Sequence, residues 1–145
     1  IRGGLTVEDL GNADLPYAPP YSLALDHVIV SAHVLENKLH GLMHGVSAAE
    51  VKQRVDSGAD CFIIDTRSPQ EFEEMRLGIG ETLIPQGALR GRLNELPADK
   101  DREIILYCKI SLRGYESAAI LQAHGWRNVR VMEGGVMAWP YPREK

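Results

Sequence analysis

The sequence predicts an α/β fold in which a parallel sheet is flanked by helices. From residue 47 onward, short apolar runs alternate with segments of helical periodicity, an order typical of parallel sheets covered on both faces. The chain has 145 residues, of which 44% are hydrophobic and 25% charged, the proportions of an ordinary globular domain. This composition excludes collagen-like, disordered and disulfide-scaffold proteins.

The charge and the cysteines narrow the class further. A formal net charge of −4 predicts no basic surface for nucleic acid. Cys61 and Cys108 lie far apart and outside any zinc-binding spacing, which indicates a reducing compartment and hence a cytoplasmic protein. No apolar run approaches the ~20 residues that cross a bilayer, so no membrane association is expected. The chain begins at Ile1 rather than Met, which suggests a piece of a larger protein.

The first part of the chain predicts little regular structure before one helix. Residues 1–24 are expected to be irregular, and the proline-rich residues 15–21 to lie extended on a surface. Residues 26–40 predict a helix, because Asp26 can cap its start and apolar residues recur at steps of three and four. The glycines of residues 40–45 then end it.

The alternating part begins with a capping box at residues 47–50, which predicts a helix ending near Gly58. Residues 61–65 are a short apolar run between turn signals, which predicts a buried strand. A second capping box at residues 68–71, with Pro at the first helical position, predicts another helix. The remaining expected elements are a short strand at residues 83–84, a helix at 89–96, a strand at 103–107, a helix at 113–123, and a strand at 129–132 followed by Gly134, Gly135 and a turn carrying Trp139.

Ligands of parallel sheets bind just beyond the carboxyl ends of the strands, which directs attention to residues 65–67 and to Cys108. Cys108 lies between a predicted buried strand and a helix whose positive end points at it. Lys109 and Arg113 add two cations, and all three effects favour thiolate over thiol. Such a thiolate would be a nucleophile. The alternative is a buried structural cysteine near two surface bases.

Four motifs in order resemble the signatures of rhodanese-type sulfurtransferases over about residues 46–140. They are the Cys-x4-Arg-Gly loop at residues 108–114, the Asp-x-Arg at residues 65–67 with a Glu four residues further on, Ile-Pro at residues 84–85, and Glu-Gly-Gly with a following Trp at residues 133–139. The chain is therefore expected to have the rhodanese-like parallel sheet.

The resemblance implies that Cys108 takes sulfane sulfur from a small donor, carries it as a persulfide and passes it to a thiol acceptor, with Arg113 as the second catalytic residue. It implies substrate-binding roles for Lys109, Ile110, Ser111, Leu112 and Gly114. Related phosphatases have one residue more between Cys and Arg, so the loop length opposes that activity. A non-catalytic docking or regulatory module is the remaining alternative.

The sequence leaves open the roles of three residues in and beside the loop. Asp65 orients donors of the loop and Arg67 adds positive potential or ties down Glu71, or else the two form an ion pair that only joins two elements. Ser111 stands where many relatives have Gly, so it either bears strain or donates a hydrogen bond to the bound sulfur. Residues 77–82 lack the motif that relatives have there, which leaves the path of that segment undetermined.

The N-terminal part has its own resemblance. Residues 1–10 and 17–22 resemble the last stretch of flavin-dependent pyridine nucleotide-disulfide reductases, especially the coenzyme A-disulfide reductase branch. The resemblance implies that residues 1–45 are the remnant of a dimerisation domain with a linker helix, and residues 46–145 a rhodanese-like domain. A homodimeric parent would use FAD, NAD(P)H and CoA, with no cofactor in this chain. The alternative is a free-standing sulfurtransferase with an unrelated extension.

The other cysteine and two of the histidines are weaker candidates for a functional role. Cys61 lies in an apolar strand and is expected to pack rather than react. His40 and His44 have a ligand-like spacing, but glycines interrupt the helix and no third ligand is apparent, so no metal site is predicted.

Overall fold

A computed structural model describes residues 3–16, 20–21 and 25–145. The chain forms two compact units, Ile1–Leu42 and Met43–Lys145. The second unit begins ahead of the predicted boundary at residue 46, because Met43 is buried within its hydrophobic core.

The first unit contains two helices, α1 (Val7–Gly11) and α2 (His27–Leu39). Helix α2 is present as predicted, and the Asp26 carboxylate accepts a hydrogen bond from the Val28 N–H at 2.8 Å. Helix α1 lies where irregular structure was expected. Its Thr6–Asp9 capping box is a sequence signal that identifies such a start. Residues 17–19 of the predicted extended segment lie outside the described residues, as do residues 22–24.

The second unit alternates strands and helices. Each predicted strand is present, and a short edge strand at residues 45–46 is added to them. The α-helices and strands are β1 (Gly45–Val46), α3 (Ala48–Asp56), β2 (Cys61–Asp65), α4 (Pro69–Glu74), β3 (Thr82–Leu83), β4 (Glu103–Tyr107), α5 (Leu112–Ala123) and β5 (Val129–Met132). Three further segments, Gln86–Gly91, Leu93–Glu95 and Gly135–Ala138, are 3-10 helices.

The five strands form one parallel sheet in the order β1-β5-β4-β2-β3. Strand β4 is central, and its side chains alternate between two hydrophobic clusters. Ile104 and Leu106 pack in one cluster together with Leu121 of α5, whereas Ile105 and Tyr107 pack in the other. Burial on both faces explains why the strand reads as a continuous apolar run.

The structure corrects one predicted element. The leucines at residues 89, 93 and 96 predict an α-helix, but the segment forms two short 3-10 helices instead. Leu89 is fully buried and Leu96 nearly so, so tertiary packing accounts for the helical spacing although no α-helix forms.

Within the described residues, no helix combines the length and the apolar character that a bilayer crossing requires.

Candidate active site

Cys108 is the first residue after β4, at the carboxyl edge of the central strand. The residue is 1% exposed and lies at the base of a loop that ends where α5 begins at Leu112. The positive end of a 12-residue helix therefore lies directly behind the thiol. The predicted position between a buried strand and a helix is confirmed.

Ser111 contacts the thiol through its backbone. Its N–H donates a hydrogen bond to the Cys108 Sγ at 3.2 Å, so at least one loop amide turns inward towards the sulfur. Its φ is +100°, in the region that glycine adopts without strain. The hydroxyl donates to the Met132 carbonyl at 3.2 Å and accepts from the Gly134 N–H at 2.7 Å. The positive φ agrees with the first alternative for Ser111, strain, whereas its hydroxyl proton is directed at the Met132 carbonyl and not at the sulfur.

Arg113 forms a two-pronged ion pair with Glu71 at the start of α4. Both guanidinium nitrogens lie 2.7 Å from a carboxylate oxygen of Glu71. The hydrogen bonds from Arg113 lower the pKa of Glu71 to about 2, and those to Glu71 raise the pKa of Arg113, with Cys108 contributing less. Arg113 therefore holds the loop to α4, and much of its charge is neutralised there.

The outer loop residues differ from this anchored part. Lys109 is exposed, and Ile110 and Leu112 are 64% and 62% exposed. Met137, whose N–H donates to the Lys109 carbonyl at 3.2 Å, is also 58% exposed. The exposed side chains of Ile110, Leu112 and Met137 are called the apolar rim of the loop, and Lys109 is the exposed cation next to Ile110 in sequence. Gly114, by contrast, is buried, and a Cβ there would lie 3.3 Å from Val131, so it allows α5 to pack closely on the sheet.

The turn after β5 holds the first half of the loop. The Val136 N–H donates to the Cys108 carbonyl at 2.9 Å. Gly135 has a φ of +54°, and a Cβ placed on it would come within 2.2 Å of the Cys108 carbonyl oxygen. Only glycine fits there, which gives the Glu-Gly-Gly motif a direct physical connection to the active-site loop.

Asp65 and Arg67 form a buried ion pair at the end of β2. The side chains are 0% and 3% exposed, and the Arg67 Nη2 lies 2.6 Å from Asp65 Oδ2. Arg67 also donates to the carbonyls of Glu71 and Met75. The described hydrogen bonds of Arg67 thus join β2 to α4. Arg67 binds the backbone carbonyl of Glu71, whereas Arg113 binds the Glu71 carboxylate.

Glu81 fixes the segment whose path the sequence left undetermined. Its carboxylate accepts hydrogen bonds from the N–H groups of Leu77, Gly78 and Ile79, at 2.9, 3.0 and 2.7 Å. It also accepts from the Tyr107 hydroxyl at 3.0 Å. Burial and the nearby Asp65 and Glu81 carboxylates raise the pKa of Tyr107.

Three contributors to the site were not identified from the sequence: the pairing of Glu71 with Arg113, Glu81 beneath Tyr107, and Met137 on the rim. The sequence suggests Glu71 only as a motif residue and a partner of Arg67, since Arg113 lies 42 residues away and no local pattern connects the two. The described residues contain no group of three or more His, Cys, Asp or Glu side chains that could hold a metal ion.

A buried cysteine in a loop of six residues, at the carboxyl edge of a five-stranded parallel sheet, defines a rhodanese-type α/β domain. The chain belongs to the rhodanese-like domain family, whose model matches residues 47–140.

Curated relatives include sulfurtransferases of similar size. The chain is 28% identical over 99 residues to a sulfurtransferase of Allochromatium vinosum, covering 68% of this chain and 89% of that protein. It is 30% identical over 99 residues to the putative sulfurtransferase YtwF of Bacillus subtilis, covering 65% of this chain and 87% of that protein.

Two solved structures resemble nearly the whole chain, including its N-terminal part. One is the reduced Bacillus anthracis CoADR-RHD, with a TM-score of 0.86 and 34% identity, covering 95% of this chain. The other is an NAD-dependent persulfide reductase from A. fulgidus, with a TM-score of 0.80 and 41% identity, covering 97% of this chain. The chain spans only 24% of the length of each.

Proposed function

We propose that Cys108 carries sulfane sulfur as a persulfide. The Sγ thiolate attacks the outer sulfur of a donor persulfide, an Sγ–S bond forms, the donor S–S bond breaks, and the donor leaves as a thiolate with the bonding electron pair. An acceptor thiolate then takes the outer sulfur and restores the Cys108 thiolate. The observation that carries the proposal is the buried Sγ facing the Ser111 N–H at the start of α5, which would stabilise negative charge on sulfur.

The loop's surroundings favour an organic donor over a small dianion such as thiosulfate. The cation of Arg113 is occupied by Glu71, which leaves Lys109 as the loop's other positive charge. Ile110, Leu112 and Met137 present exposed apolar surface beside it. An alkyl group attached to the reacting sulfur would find contacts on this rim, whereas an inorganic dianion would find Lys109 and an Arg113 whose charge is shared with Glu71.

We further propose that the domain relays sulfur in a flavin-dependent reductase of CoA disulfides, persulfides or polysulfides. The likeness to CoADR-RHD and to the persulfide reductase supports this, because it extends to 95% and 97% of the chain. Helix α2 supports it as well, since Val28, Leu35 and Leu39 are 50%, 45% and 68% exposed and offer apolar surface to a missing domain. The homodimeric parent would bind FAD, NAD(P)H and CoA outside this chain, in the cytoplasm.

The test of sulfur transfer is the intact mass of the protein after exposure to a low-molecular-weight alkyl persulfide and, separately, to thiosulfate. We expect a gain of one sulfur atom, faster with the persulfide, and none in Cys108→Ser. Cys61→Ser is the matched control, because Cys61 lies in β2 and should leave the gain intact. If neither donor adds sulfur to the wild-type chain, a docking or regulatory module becomes the better interpretation.

The place in a reductase has its own test, which is the coding sequence upstream of Ile1. A flavin-binding reductase domain there would support the relay. A different upstream domain would contradict the relay and leave sulfur transfer by Cys108 untouched.

A further inference from the structure

Ser111 is the one non-glycine residue with a positive φ among those that the structure describes. Its φ of +100° and ψ of −29° are uncommon for a residue with a Cβ and carry a conformational cost. Such strain persists only where the surrounding structure holds it in place. The hydrogen bonds of Ser111 therefore call for an explanation beyond its place in the loop.

The hydroxyl of Ser111 bridges the loop to the far end of β5. It donates to the carbonyl of Met132, the last residue of that strand, and accepts from the N–H of Gly134. One hydroxyl can do both, since it has one proton and two lone pairs. The N–H groups of Val136 and Met137 in the same turn donate to the carbonyls of Cys108 and Lys109 in the loop. Ser111 thus anchors the second half of a loop whose first half is held independently.

The backbone of Ser111 performs a different task. Its N–H donates to the Cys108 Sγ at 3.2 Å, and the direction of that N–H depends on the dihedral angles around residue 111. Glycine would reach the same conformation without strain, but it would have no hydroxyl to hold it there. The serine combines a strained conformation with the hydrogen bonds that maintain it.

We propose that Ser111 is a positioning residue whose hydroxyl locks the loop to the end of β5 and so keeps its own N–H aimed at the Cys108 sulfur. It acts through geometry and takes no part in bond formation. The inference rests on the proposed function only in treating Cys108 as the reacting group, and it requires no particular sulfur donor.

The test compares Ser111→Gly with Ser111→Ala. Ser111→Gly removes the hydrogen bonds and also the strain, so its stability should stay near that of the wild type. Ser111→Ala keeps the strain without the hydrogen bonds and should be the less stable. The thiolate absorbance of Cys108 at neutral pH is the readout, taken as the difference between each protein and its Cys108→Ser counterpart. We expect both variants to show about a fivefold lower thiolate-to-thiol ratio, as expected for one weakened hydrogen bond to a charged group.

Ser117→Ala is the matched control. Ser117 lies on α5, the helix that follows Ser111. It is fully buried, and its hydroxyl has no hydrogen-bond partner in the structure. Its removal should leave the thiolate ratio of Cys108 unchanged. A fall in the Ser117→Ala variant equal to that in Ser111→Gly would overturn the proposal, because general loosening of α5 would then explain both.

A stable Ser111→Gly variant with the wild-type thiolate ratio would also overturn the positioning role. So would a wild-type chain in which Cys108 contributes no thiolate absorbance. Sulfur loading is measured separately by mass, so the two proposals can fail independently. Loading with an unchanged ratio in Ser111→Gly contradicts only the positioning role, whereas a lowered ratio in a chain that never loads sulfur contradicts only the proposed function.

Discussion

Arg113 shows how one residue's role depends on a partner that the sequence does not reveal. As a loop cation it interacts with Cys108, but both of its terminal nitrogens also bind the Glu71 carboxylate. Glu71 is in turn fixed by the Ser68 N–H at 3.0 Å, within the capping box of α4. A helix cap and an active-site anchor therefore share one carboxylate.

This sharing predicts an acid-sensitive contribution to stability. The pKa of Glu71 falls from 4.5 to about 2 on folding, first because of Arg113. A carboxyl whose folded pKa is depressed stabilises the native state fully above its unfolded pKa, and that stabilisation is lost as the pH falls from 4.5 towards 2. Glu71→Gln should lower the free energy of unfolding at neutral pH by about 1 kcal/mol, since both side chains are partly exposed. The deficit should shrink in acid.

Urea unfolding from neutral pH down to about pH 3 measures this difference. Glu73→Gln is the control, because Glu73 is an exposed carboxyl of the same helix and should show no such deficit at any pH. A deficit of Glu71→Gln that stays constant with pH would show that the ion pair is not its source.

At the scale of elements, the turn after β5 and the loop after β4 behave as one unit. Backbone hydrogen bonds join them at Cys108 and Lys109, and the Ser111 hydroxyl joins them at Gly134. Gly135 allows this close approach. The terminal motif thus matters because it shapes the loop, even though none of its residues touches the Cys108 sulfur in the described contacts.

Gly135→Ala should displace the loop. The added Cβ would meet the Cys108 carbonyl oxygen at 2.2 Å, at a φ of +54°, and both the clash and the strain oppose folding. We expect a loss of about 3 kcal/mol or more in the free energy of unfolding, with slower sulfur loading of Cys108. Urea unfolding and intact mass measure the two effects.

Gly125→Ala isolates the strain from the clash. Gly125 has a φ of +92°, and a Cβ there meets no atom within 4 Å. Gly125→Ala should lower the free energy of unfolding by about 1–2 kcal/mol and leave the sulfur loading of Cys108 unchanged. Equal losses in both variants would contradict the close approach at Gly135.

The same elements show what the sequence could and could not predict. Strands β2 and β4 were predictable because burial makes each a compact, largely apolar run, and Cys108 followed from its place after β4. Strand β5 was predictable from its apolar residues although Arg130 interrupts them. The edge strand β1 pairs over just Gly45 and Val46, too short for a periodic signal. The partners of Arg113 and Ser111 were not predictable, because they depend on contacts with residues far along the chain.

On the scale of the whole molecule, both hydrophobic clusters lie within the second unit. Met43 contributes to one of them, and the His44 and Val46 carbonyls accept hydrogen bonds from the N–H groups of Val131 and Glu133, both at 2.9 Å. The matched family region begins only at residue 47. The folding unit therefore extends to residues that the family region does not include.

A fragment of residues 43–145 should fold cooperatively, and we expect the same sulfur loading on Cys108 in the fragment as in the full chain. A fragment of residues 47–145 should be less stable by about 2 kcal/mol or more. It loses the buried Met43 side chain, and without β1 the N–H groups of β5 at the sheet edge lose their carbonyl partners. Urea unfolding of both fragments and of the full chain measures this. Equal stability of the two fragments would show that β1 and Met43 add nothing. A fragment 43–145 that failed to fold would show that the second unit depends on the first, which would contradict the division into two units at Met43.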